Sequence, residues 1–370
     1  GTVAPGNSIG TLNVAGNIAF DPGSTYAVET NAAGQSDRIA VTGTATLAGG
    51  TVSISGPLQL GHRYTILTAG GGVAGTFAGL SAATSSPFLA PALAYDPNSA
   101  YLDVVRSGLA FASVGQTPNQ IATASALDGM SLDNPLIGAV ASLSIDQARS
   151  AFDGLSGEVH ASTVTALIED SRLIRAAMND RLRSAFETVG AAPLPLMGYD
   201  EAAGGNAALE ATASIASASP ATASAAERYG VWGSAFGSWG WTDSDGNAAK
   251  LSRSTGGFVT GIDGLVTDDW RLGFLAGYSH SSFKVDDRRS SASSDNYHLG
   301  AYGGTQWGAL SLRSGLAYTW SDIDSGRSVS FPGFTDALSS SYRTGTTQIF
   351  GELGYGMKAG NLAFEPFANL

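Results

Sequence analysis

Residues 270–280 read WRLGFLAGYSH, and the alternation in that stretch decides the fold. Trp270, Leu272, Phe274, Ala276 and Tyr278 are apolar or small. Between them Arg271, Gly273, Gly277 and Ser279 are charged, polar or bare, with Leu275 the exception. A period of two puts the first set on one face of a strand and the second on the other. Residues 309–320, ALSLRSGLAYTW, repeat it: Leu310, Leu312, Leu316, Tyr318 and Trp320 oppose Ser311, Arg313, Gly315 and Thr319. In TQIFGELGYGMK (347–358), Ile349, Leu353, Tyr355 and Met357 oppose Gln348, Glu352 and Lys358. In LAFEPFANL (362–370), Leu362 and Phe364 oppose Glu365 and Asn369. Strands of a soluble sandwich also alternate, but they are about five or six residues long and these stretches are longer. A strand that crosses a membrane needs about 9–11 residues, with aromatic rings at the two interfaces. Trp239, Trp241, Trp270, Tyr278, Trp307, Tyr318 and Trp320 are expected near strand ends, as such rings would be.

The train of strands runs from Tyr229, where it opens YGVWGSAFGSWGWTDSDGNA, to Leu370. Its phrases VWGSAFGSWG, DGNAA, STGGFVTGID, WRLGFLAGYS, YHLGAYGGTQWG and SVSFPGF, in that order, resemble the β-domain of type V autotransporters of the classical, monomeric kind. The resemblance covers most of 229–370. It implies a translocator barrel of about twelve strands in the outer membrane of a Gram-negative bacterium. It also implies a secreted passenger N-terminal to the barrel, a monomer, and partners in the outer-membrane lipid, the barrel-assembly machinery and periplasmic chaperones.

Working outward, residues 1–106 form short strands broken by Gly, Asn, Asp and Pro, such as GTLNVAGN, DRIAVTGTATL, GTVSIS and RYTILTA. One unit recurs roughly every 20-odd residues, as in stacked solenoid rungs whose apolar sides are buried only against the next rung. Leu12, Val14, Ile39, Val41, Val52, Ile54, Ile66 and Leu67 are the expected core. A small β-sandwich is the alternative. The phrases PGNSIGTLNVAGN and RYTILTAGGGVAGTF are similar to the last passenger rungs of autotransporters, the autochaperone.

From Ser107 the period becomes helical. Residues 117–130 and 144–153 read as helices, with Ser144 and Gln147 forming a capping box and Gly154 ending the second. A long helix follows from about Gly157 to Phe186, with Val164, Leu167, Ile168, Ile174, Met178, Leu182 and Phe186 on one face. Glu169 is placed to pair with Arg172, and Arg175, Arg181 and Arg183 lie off the stripe. GLSGEVHAS and EDSRLIRAAMNDRLR resemble the linker helix that precedes an autotransporter barrel. Thirty residues of helix span roughly 45 Å, enough to thread a pore. Residues 188–228, rich in Ala, Ser, Gly and Pro, read as a tether with a frayed helix over 206–219.

The expected fold class is therefore mostly β: a right-handed parallel β-solenoid end (1–106), a helical linker region (107–187), the tether (188–228), and a truncated antiparallel transmembrane β-barrel (229–370). The barrel part is expected to supply about seven of about twelve strands. The chain has 370 residues, opens at Gly1 without a signal peptide and stops in mid-pattern, so both ends are expected to be cut. It is 43% hydrophobic and 14% charged, and contains no apolar run of eighteen residues that would make a spanning helix. A net charge of −12 argues against nucleic acid as a partner. The absence of cysteine rules out disulfides and thiolate sites, and suits a chain that crosses a narrow pore unfolded.

Chemistry-bearing motifs are sparse. Gly6–Gly10 matches G-x-S-x-G but is followed by a strand, not a helix. Gly70–Gly75 matches G-x-G-x-x-G, again without a helix to offer its amides. His62, His160, His280 and His298 have no metal-ligand spacing, and Asp243–Asn247 lacks the remaining ligands of a calcium loop. No catalytic, cofactor or metal residue is assigned, and the protein is expected not to be an enzyme. The expected lumen-facing residues are Arg271, Gly273, Arg313, Gln348, Glu352 and Glu365, and the lipid-facing ones Leu272, Phe274, Leu312, Leu316 and Leu353. The pore-helix residues are Glu169, Arg172, Arg175, Arg181 and Arg183. The function expected is that of an outer-membrane translocator that exports and anchors its own passenger, with residues 1–106 at the cell surface. A soluble or surface adhesive β-protein, or a carrier of a missing esterase-like passenger, are the alternatives.

Overall fold

The computed structural model describes residues 1–83, 86–188, 229–360 and 362–370. The tether expected over 188–228, Thr188 apart, lies outside them. Two compact units emerge: Gly1–Ser156 with Ser328–Asp336, and Gly157–Arg327 with Ala337–Leu370.

In the first unit ten short strands coil in succession: β1 (Thr2–Val3), β2 (Thr11–Val14), β3 (Ile18–Phe20), β4 (Thr25–Glu29), β5 (Arg38–Val41), β6 (Ala45–Leu47), β7 (Thr51–Ser55), β8 (Arg63–Ala69), β9 (Val73–Gly75) and β10 (Gly79–Ala82). Every third strand stacks in parallel, giving the stacks β1-β4-β7-β10, β2-β5-β8 and β3-β6-β9. This is a solenoid of about three turns, in which like positions superpose: Tyr26 on Val52, Val28 on Ile54, Ile39 on Leu67, Phe20 on Leu47. Ile39, Val41, Val52, Ile54, Ile66 and Leu67 are buried, whereas Leu12 and Val14 are half-buried. Tyr26 and Asp37, both buried among the rungs, have hydrogen-bond partners. Tyr26 donates to the Ile66 carbonyl at 2.6 Å, and the Asp37 carboxylate accepts from the amides of Gly10 and Glu29 at 2.8 and 2.9 Å.

The parallel coil does not extend over all of 1–106. β11 (Leu89–Asp96) and β12 (Ser99–Arg106) form an antiparallel hairpin, and β12 adds antiparallel to β8. The cause is local: Pro97 and Asn98 make a two-residue turn where a rung would need a longer corner. Helices α1 (Pro118–Asp128), α2 (Pro135–Ala141) and α3 (Ile145–Leu155) continue the same hydrophobic core. Seven-residue α2, absent from the sequence reading, is announced only by Asn134 as cap and Pro135 at its first position. The capping box of Ser144 and Gln147 is present, but Gly154 does not end α3. The glycine that breaks the helical path is Gly157, at φ +67°. Val329 is buried in this unit, and Phe331 packs on its core.

The second unit is built on long consecutive antiparallel strands: β13 (Tyr229–Thr242), β14 (Leu251–Leu265), β15 (Trp270–Val285), β16 (Ser290–Trp307), β17 (Leu310–Phe331) and β18 (Phe334–Tyr355). A small hairpin, β19 (Met357–Ala359) with β20 (Leu362–Phe364), precedes β21 (Phe367–Asn369), which pairs with β18. Among the described residues this makes one seven-stranded sheet in sequence order. The strands reach 22 residues, and that corrects one expectation: Tyr278, Tyr318 and Trp320 lie mid-strand. Phe258, Tyr278, Tyr297 and Trp320 form one row across four strands. Trp270 and Trp307, whose rings are 6.2 Å apart, form another near the opposite strand ends. From Trp270 to Tyr278 is nine residues of strand and from Leu310 to Trp320 is eleven. That matches the roughly 9–11 residues of a tilted membrane-crossing strand.

Candidate functional site

One face of the sheet carries helix α4 (Glu158–Ala185), which runs along β14, β15 and β16. Glu158 in its first turn and Arg183 in its last complement the helix dipole. Both are also bound to the wall. The Ala249 amide donates to Glu158 Oε1 at 2.8 Å, and Arg288 Nε lies 3.3 Å from Oε2. Further along, Glu169 pairs with Arg253 at 2.7 Å, not with Arg172 as expected, because Arg253 reaches across from β14. Asp170 accepts from Thr255, and Gln348 Nε2 donates to the Ser171 carbonyl at 3.1 Å.

Along α4 the apolar stripe narrows to Leu167, Ile174, Met178 and Leu182, all buried. Val164 and Ile168, expected on it, are exposed. They fall on the side of the helix turned away from the sheet. The stripe fits because the facing wall is bare: a Cβ on Gly300 would sit 2.5 Å from Met178 Cε.

Between α4 and the wall lies a small cavity lined by Asp170, Ser279, Asn296, His298 and Thr319. Ser279 and Thr319 contact the two ring nitrogens of His298 at 3.0 and 2.9 Å, and Asn296 Nδ2 donates to Ser281 at 3.1 Å. Toward the end of the helix are two ion clusters. In one, Arg181 grips Asp263 with Nε and Nη2 at 2.6 and 2.8 Å; Arg271 also bonds Asp263. Tyr302 donates to Asp263 at 2.8 Å and accepts from the Trp232 indole at 2.5 Å. In the other, Glu352 lies 2.7 Å from both Arg183 and Arg313, and Arg313 is 2.7 Å from Glu365.

Arg271, Gly273, Arg313 and Glu352 are thus buried on the face that α4 covers; Gln348 and Glu365 are half-buried there. Of the helix residues, Arg181 and Arg183 enter the clusters, Glu169 pairs with Arg253, and Arg172 and Arg175 are exposed. On the opposite face Leu272, Phe274, Leu316 and Leu353 are exposed, Phe274 by 66%, and Leu312 is half-buried. The sequence reading missed Asp263, Tyr302, Trp232 and Arg253. Asp263 and Arg253 had a signal, since each is a charge on the polar set of β14. Trp232 had none: an aromatic ring in such a strand reads as interfacial, yet it is fully buried.

Residues 231–370 match the family model described as "Autotransporter beta-domain". Two relatives, each named "Extracellular serine protease" and each from Serratia marcescens, align with the chain. They are 33% identical over 424 aligned residues and 30% over 419, covering 100% and 99% of the chain. The chain spans 37% of the length of each. Those names overturn the expectation of a protein with no enzymatic side. That expectation had weighed only the motifs inside these 370 residues, whereas the relatives extend well beyond them.

Proposed function

Since the chain belongs to the autotransporter family, with residues 231–370 as its β-domain in the outer membrane, we propose that strands β13–β18 are one wall of a pore that exported the residues preceding α4. The observation that carries this reading is α4 itself, bonded along the charged, glycine-rich face of the sheet from Glu158 to Arg183. That face is the lumen. Its Arg, Asp, Glu, Ser and Thr side chains offer an unfolded chain a wet, polar path. The opposite face, with its band of exposed Leu, Phe and Ile between two aromatic rows, meets lipid.

Export needs a direction, and the solenoid supplies one. Each rung that folds outside buries apolar side chains against the rung before it, so a folded segment does not slide back. The chain has no cysteine that could cross-link it in transit. Export ends with α4 in the lumen and residues 1–106 at the cell surface. The names of the relatives point to a serine protease as the activity that such a passenger displays. The barrel works as a monomer, received by periplasmic chaperones and inserted by the barrel-assembly machinery.

The test uses the full-length protein in intact cells. Protease added outside is expected to cut within residues 1–106 while the barrel keeps the compact migration of an unheated sample on a gel. Residues 1–106 that stay protected until the outer membrane is opened would end this reading.

A further inference from the structure

We infer that Asp263 is the residue that stops the moving chain: its buried carboxylate captures the Arg181 guanidinium and so fixes α4 in one register in the pore. This rests on the export reading above.

The contacts of α4 with the wall are unequal. The pairs Arg253–Glu169, Arg183–Glu352 and Arg288–Glu158 each leave one side chain at least 20% exposed. Pairs with water beside them exchange partners at small cost. At Asp263 the side chain is 0% exposed and Arg181 only 5%. Both carboxylate oxygens are engaged by the flat guanidinium fork, with Arg271 and Tyr302 completing the shell. A buried, bidentate pair of this kind tolerates loss of a partner poorly. The first strand makes room for it: a Cβ on Gly230 would lie 2.5 Å from Arg181 Nη2. Through Tyr302 the same carboxylate holds Trp232, so arrival of the arginine also packs β13 against its neighbours.

Register follows from the helix sequence. A slip of one turn in either direction brings Ala177 or Ala185 to Asp263, and neither can replace the arginine. Arg183 and Arg175 project from other sides of the helix and bring no second register. A chain still in motion therefore passes the looser pairs and halts at this one.

The position of α4 is readable because the chain has no cysteine of its own. In the full-length protein in outer membranes, Asp170→Cys with Thr255→Cys reports the seated register, since these side chains touch. Ala166→Cys or Ile174→Cys with Thr255→Cys reports a slip of one turn. Adding Asp263→Asn or Arg181→Ala is expected to lower the seated cross-link by about tenfold and to raise the slipped ones. Moving the arginine by one turn, Arg181→Ala with Ala185→Arg, is expected to shift the cross-link to the 174/255 pair. A purely structural role would not move it. A seated cross-link of unchanged yield in all three variants overturns the inference. So does failure of Asp263→Asn to assemble while the moved arginine leaves the register where it was. Surface exposure of residues 1–106 is scored in the same cells. If they never appear outside, the export reading fails; if they appear and the register does not respond, only the stop at Asp263 falls.

Discussion

In the solenoid, Tyr26, Val28, Val52 and Ile54 turn inward while Thr25, Ala27, Thr51 and Ser53 face away. In the sheet of the second unit the same period of two has the opposite sense. Arg271, Arg313, Ser279 and Thr319 turn inward, and Leu272, Phe274, Leu316 and Trp320 face away, between 47% and 66% exposed for the four. A pattern of alternation states that a strand has two faces; it does not state which face is the protein's interior. The surroundings decide that. Short strands stacked on one another must bury their apolar side in water, and long strands with two rings of aromatic residues need not. Every mutation that distinguishes the two units tests this inversion.

The largest effect is expected in the solenoid. Tyr26→Ala removes a ring that is fully buried and a hydrogen bond to the Ile66 carbonyl. It is expected to cost about 3–5 kcal/mol, read from denaturant unfolding of the first unit's signal. A loss below about 1 kcal/mol would mean that the rungs do not share one core.

The sheet is expected to respond most from its outer face. Leu316→Arg, near mid-band, should cost about 2–4 kcal/mol when folding into lipid vesicles is followed, whereas Leu→Arg at the same exposure in a soluble sheet would be nearly neutral. Ser311→Asn, on the polar face, should cost about 1 kcal/mol or less. Equal sensitivity of the two faces to polar and charged groups would break the comparison.

The inversion is legible in the sequence, because Arg271, Arg313 and Glu352 fall on one side of the alternation and Leu272, Leu316 and Leu353 on the other. Partners are less so. Period two gives the face of Asp263 but not that Arg181, 82 residues earlier, lies across from it. The pairing of Glu169 goes astray for the same reason: an i,i+3 neighbour is visible in sequence, and Arg253 on the wall is not. α2 is too short to show a helical period, and Trp232 looks like any interfacial ring. The hairpin at β11 and β12 has its signal in Pro97 and Asn98, outweighed there by the regular spacing of the rungs.

A smaller effect is expected where a pair on the polar face of the sheet keeps water beside it. Arg183→Ala removes one of two guanidinium partners of Glu352, which retains Arg313 at 2.7 Å. With Arg183 22% exposed, the cost is expected at about 0–1 kcal/mol, measured by the thermal loss of compact gel migration. A cost comparable with that of Leu316→Arg would show that the polar face of the sheet is dry and core-like, and the contrast between the two units would fail.

The smallest effect is expected back on the solenoid, where charges sit on the outside. Arg63 binds Asp103 through Nε and Nη2, both at 2.7 Å, across β8 and β12. The hydrogen bond from Arg63 is the main cause that holds the Asp103 carboxyl below the usual carboxylate range. A carboxylate whose pKa falls on folding adds stability at pH values above its unfolded pKa, about 3.9, and loses it as the pH drops through the lower folded value. The contribution is therefore complete at neutral pH and disappears only in acid. Amide hydrogen exchange of β8 and β12 in the whole chain should show it as a slight loss of protection between about pH 5 and pH 3. Asp103→Asn should remove that pH dependence, and high salt should weaken the contribution at neutral pH, because Arg63 is 59% exposed and screened by solvent. Salt should leave the buried Arg181–Asp263 contact far less affected, since its two side chains are 5% and 0% exposed. An equal response to salt at both pairs would mean that charge is solvated alike outside the solenoid and inside the sheet, and the inversion would then have no electrostatic counterpart.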